Sequence, residues 1–253
     1  MFGFLYRILK AAKSGTNDET NGRHIVPNEV FRSTAAERPK ILDVGAGHGA
    51  DLRTIMDRLA SEGRTPEIFA IEAFPIAVEK LLALGVNVSS IDIERDRLPY
   101  DDNYFDVVIC NQVLEHTKEI FWIVSEIARV TKPDCRMIIG VPNLGSLHNR
   151  LALLAGYQPP AIGVLGTHVR GFTIPGLKEF LEAGGVLKVR KIIGGNFYPL
   201  PPSLSRFMSR ALPSLSVSSF FVIEKISSAS FLDIFKSQLA ASLVDTPYYR
   251  GPE

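Results

Sequence analysis

The sequence predicts an α/β protein: a doubly wound, mostly parallel sheet of seven strands, with a C-terminal antiparallel strand pair and a small cap of helix and loop. Three observations carry this expectation. Short apolar, β-branched runs alternate with helical periods from residue 40 to about residue 143. This is the pattern of βαβ units whose strands are buried on both faces. Glycines cluster at the first strand-to-helix junction, and 253 residues at 46% hydrophobic and 22% charged suffice for one large core. Right-handed crossovers then give the doubly wound arrangement.

The elements follow in order. Residues 1–39 read as an N-terminal helix and linker. "MFGFLYRILKAAK" is basic and amphipathic as a helix, and either packs on the domain or lies on a membrane surface. Arg7 and Lys10 interrupt its apolar run, against a signal peptide. The polar, turn-rich "SGTNDETNGR" (14–23) is the linker proper. A buried strand at Ile41–Val44 leads into a helix from about Asp51 to Ser61. "EIFAIEA" (67–73) is the second strand, and Pro75 sits in the first turn of the helix after it. "VNVSSIDI" (86–93) and "FDVVICNQ" (105–112) are the third and fourth strands, and a helix from about Thr117 to Thr131 precedes the fifth, "CRMIIGVPN" (135–143).

Beyond Asn143 the alternation breaks into a helix and a Gly/Pro-rich loop. A further helix has Thr173 as N-cap, Pro175 in its first turn and Gly184-Gly185 at its end. "VLKVRKIIGG" and "SSFFVIEKIS" form the final strand pair. The expected domain is therefore 40–226, with insertions at about 143–172 and 196–217 and a tail at 227–253. The second insertion, "NFYPLPPSLSRFMSRALPSLSV", either rims an acceptor pocket, touches a lipid carrier, or simply joins two strands.

Composition narrows the function classes. A net charge of +1 gives no electrostatic footprint for nucleic acid or an anionic membrane. Cys110 and Cys135 lie in apolar stretches and read as small buried hydrophobes suited to a reducing cytoplasm, the expected location. No run reaches the roughly 18 apolar residues needed to span a bilayer.

In an open α/β sheet the ligand sits beyond the carboxyl ends of the strands. "GAGHGA" after the first strand formally fits the dinucleotide fingerprint G-x-G-x-x-G/A. Asp43, two residues before the first glycine, argues against a pyrophosphate and for a cationic ligand. Glu72 ends the second strand, about 23 residues past the last glycine, where a carboxylate can accept ribose hydroxyls. Asp92 at the end of the third strand can accept an exocyclic amine of adenine, with Ile93 as apolar contact. Asn111, Gln112 and Val113 follow the fourth strand, over the crevice.

Together, "ILDVGAGHGA", "IEAF", "SSIDIERDRLPYDDNYFDVVICNQVLEHT" and "RVTKPDCRMIIGVPN" resemble the successive motifs of the class I S-adenosylmethionine-dependent methyltransferases, over about residues 40–143. The resemblance implies a Rossmann-like methyltransferase sheet and S-adenosylmethionine as cofactor. With stereochemistry, it places Gly45, Ala46, Gly47 and Gly49 at the methionine moiety and Asp43 at its ammonium. Glu72 and Ala73 fall at the ribose, Asp92 and Ile93 at the adenine, and Asn111, Gln112 and Val113 on the methyl-donor side. The second half, "VPNLGSLHNRLALLAGYQP" with "GTHVRGFTIPGLKEFLEAGG", resembles a bacterial subgroup of methyltransferase type 11 proteins. That subgroup is related to the methionine-biosynthesis proteins and often accompanies polysaccharide synthesis.

An oxygen acceptor needs its proton removed, and histidine is suited to that near neutral pH. His116, His148 and His168 fall in the right half of the chain; each also has a plainer reading as pocket wall, helix cap or loop residue. Asn143 and Arg170 are candidate substrate contacts. His24 and His48 are weaker candidates, although His48 lies inside the glycine turn. Glu115 with His116 is too little for a cation site, so no metal is expected. The leading expectation is methyl transfer to a small or sugar-like (glycan) acceptor, at oxygen. The alternative is a non-catalytic S-adenosylmethionine-binding partner protein. A nicotinamide oxidoreductase is disfavoured by Asp43 and Asp92. A nucleic-acid methyltransferase is disfavoured because the chain has no Asn/Asp-Pro-Pro-aromatic motif and no basic stripe.

Overall fold

A computed structural model describes residues 24–233 except residue 199. The expected helix at the extreme N-terminus, the 14–23 linker and the end of the tail lie outside the described residues. The strands are β1 (Lys40–Val44), β2 (Glu67–Ile71), β3 (Asn87–Ser89), β4 (Phe105–Asn111), β5 (Thr131–Pro142), β6 (Leu187–Gly195) and β7 (Ser218–Lys225). They form one seven-stranded sheet in the order β3-β2-β1-β4-β5-β7-β6. β1 pairs in parallel with β2 and β4, β2 with β3, and β4 with β5. β7 runs antiparallel to both β5 and β6. The strand order turns around at β1 and β4, so the crevice beyond Val44 and Asn111 is the switch point where such folds bind ligands.

The period of two in the strands divides the core between the two faces. Leu42, Val44, Val108 and Cys110 enter one cluster, with Trp122, Ile123 and Ile127 of α4 (Ile120–Val130) and Leu177 and Leu181 of α6 (Ile174–Glu182). Ile41, Val107 and Ile109 enter the other, with Leu52, Ile55 and Leu59 of α2 (Ala50–Ser61) and Leu81 of α3 (Pro75–Ala83). That second cluster also takes Ile25, Val26 and Val30 of α1 (Ile25–Ser33), a helix the sequence did not reveal. Its Pro27 and Asn28 mask the apolar period. The core therefore reaches below residue 40, and Phe231 and Leu232 carry it past residue 226.

Three boundaries differ from expectation, each for a local reason. The third strand stops at Ser89, because Asp92 and Asp96 turn the chain. Asp92 Oδ1 accepts the Glu94 N–H (2.9 Å) and Asp96 Oδ2 accepts the Asp92 N–H (2.9 Å). Asp92 and Ile93 thus lie in a turn rather than on a strand end. The helix after β4 begins at Ile120, because residues Leu114–His116 first make a 3₁₀ turn. Glu94 then ties down the approach to it, its Oε2 accepting the N–H groups of Lys118 (2.7 Å) and Glu119 (3.0 Å). The fifth strand starts early, at Thr131, which pairs with Phe105. Cys110 is buried as expected, whereas Cys135 is only half-buried.

β6 ends beside the start of β7, at the same sheet edge as the carboxyl end of β5. Residues 196–217 therefore project from the crevice side. They fold as α7 (Pro202–Ala211) and a short 3₁₀ turn, Pro213–Leu215. α5 (Leu147–Leu154) and the 160–172 loop occupy the same side, so the sheet carries a cap over its ligand edge. Among the described residues no helix is long and apolar enough to cross a membrane.

Candidate cofactor and acceptor site

The glycine turn is left-handed at three points, with φ of +75° at Gly45, +54° at Gly47 and +75° at Gly49. L side chains are strained there, which fixes glycine at these positions. At Gly45 space is also short, since a Cβ would come within 2.5 Å of Val113 Cγ2. At Gly47 a Cβ would meet nothing within 4 Å, so the turn is open on that side.

The first three N–H groups of this turn are already engaged. Gly45 and Ala46 donate to Ile71 O (2.8 and 3.3 Å), and Gly47 donates to Glu72 Oε2 (2.7 Å). A dinucleotide pyrophosphate would need those donors free and facing it. Instead, carboxylates gather round the turn. Asp43 is 4% exposed, and burial, then Asp51 and then Glu72, hold its carboxyl well above the ordinary carboxylate range. Asp51 Oδ2 accepts a hydrogen bond from Asn111 Nδ2 (2.9 Å). Asn111 Oδ1 is buried without a hydrogen-bond partner, packed against Gly140 of β5. Such a site attracts a cation and repels a phosphate.

Beside the turn lies a cavity of about 440 Å³, lined by Gly45, Glu72, Ala73, Asp92, Ile93 and Thr117 among others. Its size fits a nucleoside-sized ligand. Glu72 is held by the N–H groups of Gly47 and Phe74 (2.9 Å) and presents its carboxylate to this space. The wall is rigid. Trp122 Nε1 donates to Asp96 O (3.1 Å). Arg129 forks onto buried Glu126 (2.6 and 2.7 Å) and donates to Leu98 O and Tyr100 O. A group with an ammonium, a sulfonium, a ribose and an adenine, as in S-adenosylmethionine, fits the residues present.

Of the expected site residues, Asp43, Gly45, Glu72, Ala73, Asp92, Ile93, Asn111 and Val113 thus surround one crevice. Gln112 sits there with φ of +58° and an exposed side chain. His48 is exposed. His24 belongs elsewhere, in a cleft between α1 and α7. Burial, Arg206 and Arg210 lower its pKa.

The acceptor-side residues divide. His116 and His168 meet with ring centroids 4.7 Å apart. His148 instead faces Ser146 Oγ (3.2 Å) and the ring of Tyr198. Arg170 is held near the histidine pair, its N–H and that of Val169 donating to Glu115 O (3.3 and 2.9 Å) and its Nη2 to Lys118 O (3.0 Å). Asn143 is a correction. Expected at the acceptor, it is 2% exposed and fully used as a joint. Its Nδ2 donates to Ser214 O and Ser216 O (3.0 and 2.9 Å), and its Oδ1 accepts the Gly145 N–H (2.9 Å). It ties the end of β5 to the 196–217 insertion. Sequence reasoning missed Asp51 and Glu94 as parts of the crevice. Asp51, in the first turn of the helix after the glycines, carried a readable signal; Glu94 carried none.

A sequence profile of the family described as "Methionine biosynthesis protein MetW" matches residues 29–177, more than half of the chain. The chain belongs to this family. This MetW-family chain is 30% identical over 166 residues to a ubiquinone biosynthesis O-methyltransferase of Klebsiella pneumoniae (strain 342), covering 64% of the chain and 66% of that protein. The match thus spans just under two thirds of that relative. In fold it is similar to a S-adenosylmethionine-dependent methyltransferase of Thermotoga maritima, a possible histamine N-methyltransferase (TM-score 0.56, 15% identity, 82% of this chain and 90% of that one). It is equally similar to the [4+2]-cyclase SpnF (TM-score 0.56, 19% identity, 80% and 81%). The fold is thus that of the class I methyltransferases, and it serves more than one reaction.

Proposed function

We propose that the chain is a S-adenosylmethionine-dependent methyltransferase acting at an oxygen of a small, hydroxyl-bearing acceptor, aromatic or sugar-like. The observation that carries this reading is the convergence of Asp43, Asp51 and Glu72 on a glycine turn whose Gly45, Ala46 and Gly47 N–H groups are spent. The cofactor, when bound, supplies an activated methyl group on a sulfonium. Asp43 holds the ammonium and Glu72 the ribose hydroxyls. Asp92 and Ile93 hold the adenine, with Asn111 and Val113 on the methyl side. Burial excludes water, and the cap formed by α5, the 160–172 loop and residues 196–217 encloses the acceptor. The name of the Klebsiella relative supports oxygen as the atom methylated.

A second reading keeps cofactor binding without turnover. The family description, which names a biosynthetic process and no reaction, favours it. Calorimetric titration with S-adenosylmethionine, S-adenosylhomocysteine and NADH tests both. Micromolar binding of the first two alone is expected. Release of S-adenosylhomocysteine in a screen of catechols, polyphenols and nucleotide sugars then separates enzyme from partner. NADH binding, or no binding at all, refutes the cofactor assignment.

A further inference from the structure

We propose that Glu115, His116 and His168 bind one divalent first-row cation, Mn²⁺ or Zn²⁺ in class, and that this ion holds the acceptor hydroxyl beside the cofactor crevice. The ion site rests on geometry alone; its role toward the acceptor rests on the methyl-transfer reading.

One carboxylate oxygen of Glu115 and one ring nitrogen of each histidine lie within 4.8 Å of one another. His116 Nε2 is 3.9 Å from Glu115 Oε1. The residues come from two distant segments, the 3₁₀ turn after β4 and the 160–172 loop. Neither segment alone suggests a metal, which is why the sequence predicted none. The fold joins them through the two N–H groups of Val169 and Arg170 on Glu115 O.

The histidines are oriented as ligands. His116 Nδ1 faces Thr167 O (3.2 Å) and His168 Nδ1 faces Ala161 O (2.7 Å). A carbonyl only accepts, so each Nδ1 carries a proton and Nε2 is the nitrogen that an ion would take. A backbone carbonyl fixing Nδ1–H is a common way to orient a metal-binding imidazole. The Glu115 side chain is 2% exposed, and a buried carboxylate favours a cation beside it. His116 is 41% exposed, which leaves one side open to water or acceptor.

Two histidines and one carboxylate suit first-row divalent ions rather than Mg²⁺ or Ca²⁺. Metal–ligand lengths of about 2.1 Å imply ligand–ligand separations of about 3–3.5 Å. The side chains therefore close by about 1 Å on binding. Thr117, next in sequence to His116, lines the cofactor cavity, so the cluster is one residue away along the chain from that cavity's lining. A bound ion lowers the pKa of a coordinated hydroxyl. The acceptor O–H bond breaks and its proton passes to water. The oxygen lone pair forms the O–CH₃ bond, the S–CH₃ pair returns to sulfur, and the ion is unchanged. In this arrangement the histidines position the nucleophile through the ion and neither is the base.

The test starts from chelator-treated full-length protein titrated calorimetrically with Mn²⁺ and Zn²⁺, without cofactor or acceptor. One equivalent bound at micromolar Kd, weakened at least 30-fold in Glu115→Gln and His168→Ala and unchanged in His148→Ala, supports the site. Circular dichroism melting and cofactor affinity within twofold of wild type confirm that the variants fold. Absence of binding, or binding indifferent to both substitutions, overturns the site whatever the methyl-transfer assay gives. With an acceptor in hand, a loss of turnover of tenfold or more on chelation, restored by Mn²⁺ or Zn²⁺ at constant cofactor affinity, supports the acceptor role. Full turnover by the metal-free protein overturns it.

Discussion

Replacing Asp43 by Asn is expected to move stability and cofactor affinity in opposite directions. Asp43 is buried at the end of β1, and burial, Asp51 and Glu72 raise its pKa. An acid whose pKa rises on folding gives full stability only below the ordinary carboxylate range. That stability is lost as pH climbs through the raised folded value. Above the ordinary carboxylate range the ligand-free wild type therefore bears the cost of a buried acid among like charges, whether it keeps its proton or gives it up. Asparagine keeps the shape and removes the charge. A gain of about 1 kcal/mol, or about 3 °C in Tm for a chain of this size, follows at pH 8 and fades toward pH 4. Binding responds the other way. Losing one partner of a buried charge pair costs at least about 2–3 kcal/mol, roughly 30- to 150-fold in Kd for S-adenosylmethionine. 5′-Methylthioadenosine lacks the ammonium, so its affinity should stay within twofold. Differential scanning fluorimetry across pH and calorimetry with both ligands make the measurement. A lower Tm at pH 8 would refute the buried-acid cost, and equal losses for the two ligands would show that Asp43 does not face the ammonium.

Gly45→Ala meets both left-handed strain and the Val113 methyl at 2.5 Å, so about 3 kcal/mol is lost and Tm falls by about 6–12 °C. Gly47→Ala meets strain but open space, so it costs about 1 kcal/mol in stability, and cofactor affinity drops more than stability does. Equal melting temperatures for the two variants would contradict this contrast. Arg129→Ala leaves buried Glu126, whose side chain is 6% exposed, with only the Leu98 N–H and the more distant Arg97, and frees the backbone carbonyls of Leu98 and Tyr100. A loss of about 3–4 kcal/mol by urea unfolding is expected. The Arg190–Glu224 pair is the control: Arg190 is half-exposed and Glu224 keeps Arg136 as a partner, so Arg190→Ala should move the midpoint far less.

Local patterning settled much of this protein. The alternation of β-branched runs with helical periods was enough for the parallel strands β1, β2, β4 and β5. Backbone burial on both faces leaves that imprint on every residue of a strand. The glycines at 45, 47 and 49 and the acids at 43 and 72 marked the crevice, because a left-handed turn and a cation site each demand a residue type at a fixed spacing.

Other features are decided by pairings between distant segments, and no window of sequence contains them. β3 ends early because the carboxylates of Asp92 and Asp96 cap a turn, a competition that composition alone leaves open. Asn143 reads as a polar residue at a crevice strand end, yet Ser214 and Ser216 take its amide across the insertion. α1 joins the core although Pro27 and Asn28 blur its period. The encounter of His116 with His168 around Glu115 requires a loop some 50 residues later to fold back onto the turn after β4, through hydrogen bonds to one backbone carbonyl. Strand and turn chemistry is written locally, because period and conformation act on neighbours. The side of the crevice that these loops form is fixed only when the tertiary fold brings separate loops within hydrogen-bonding distance.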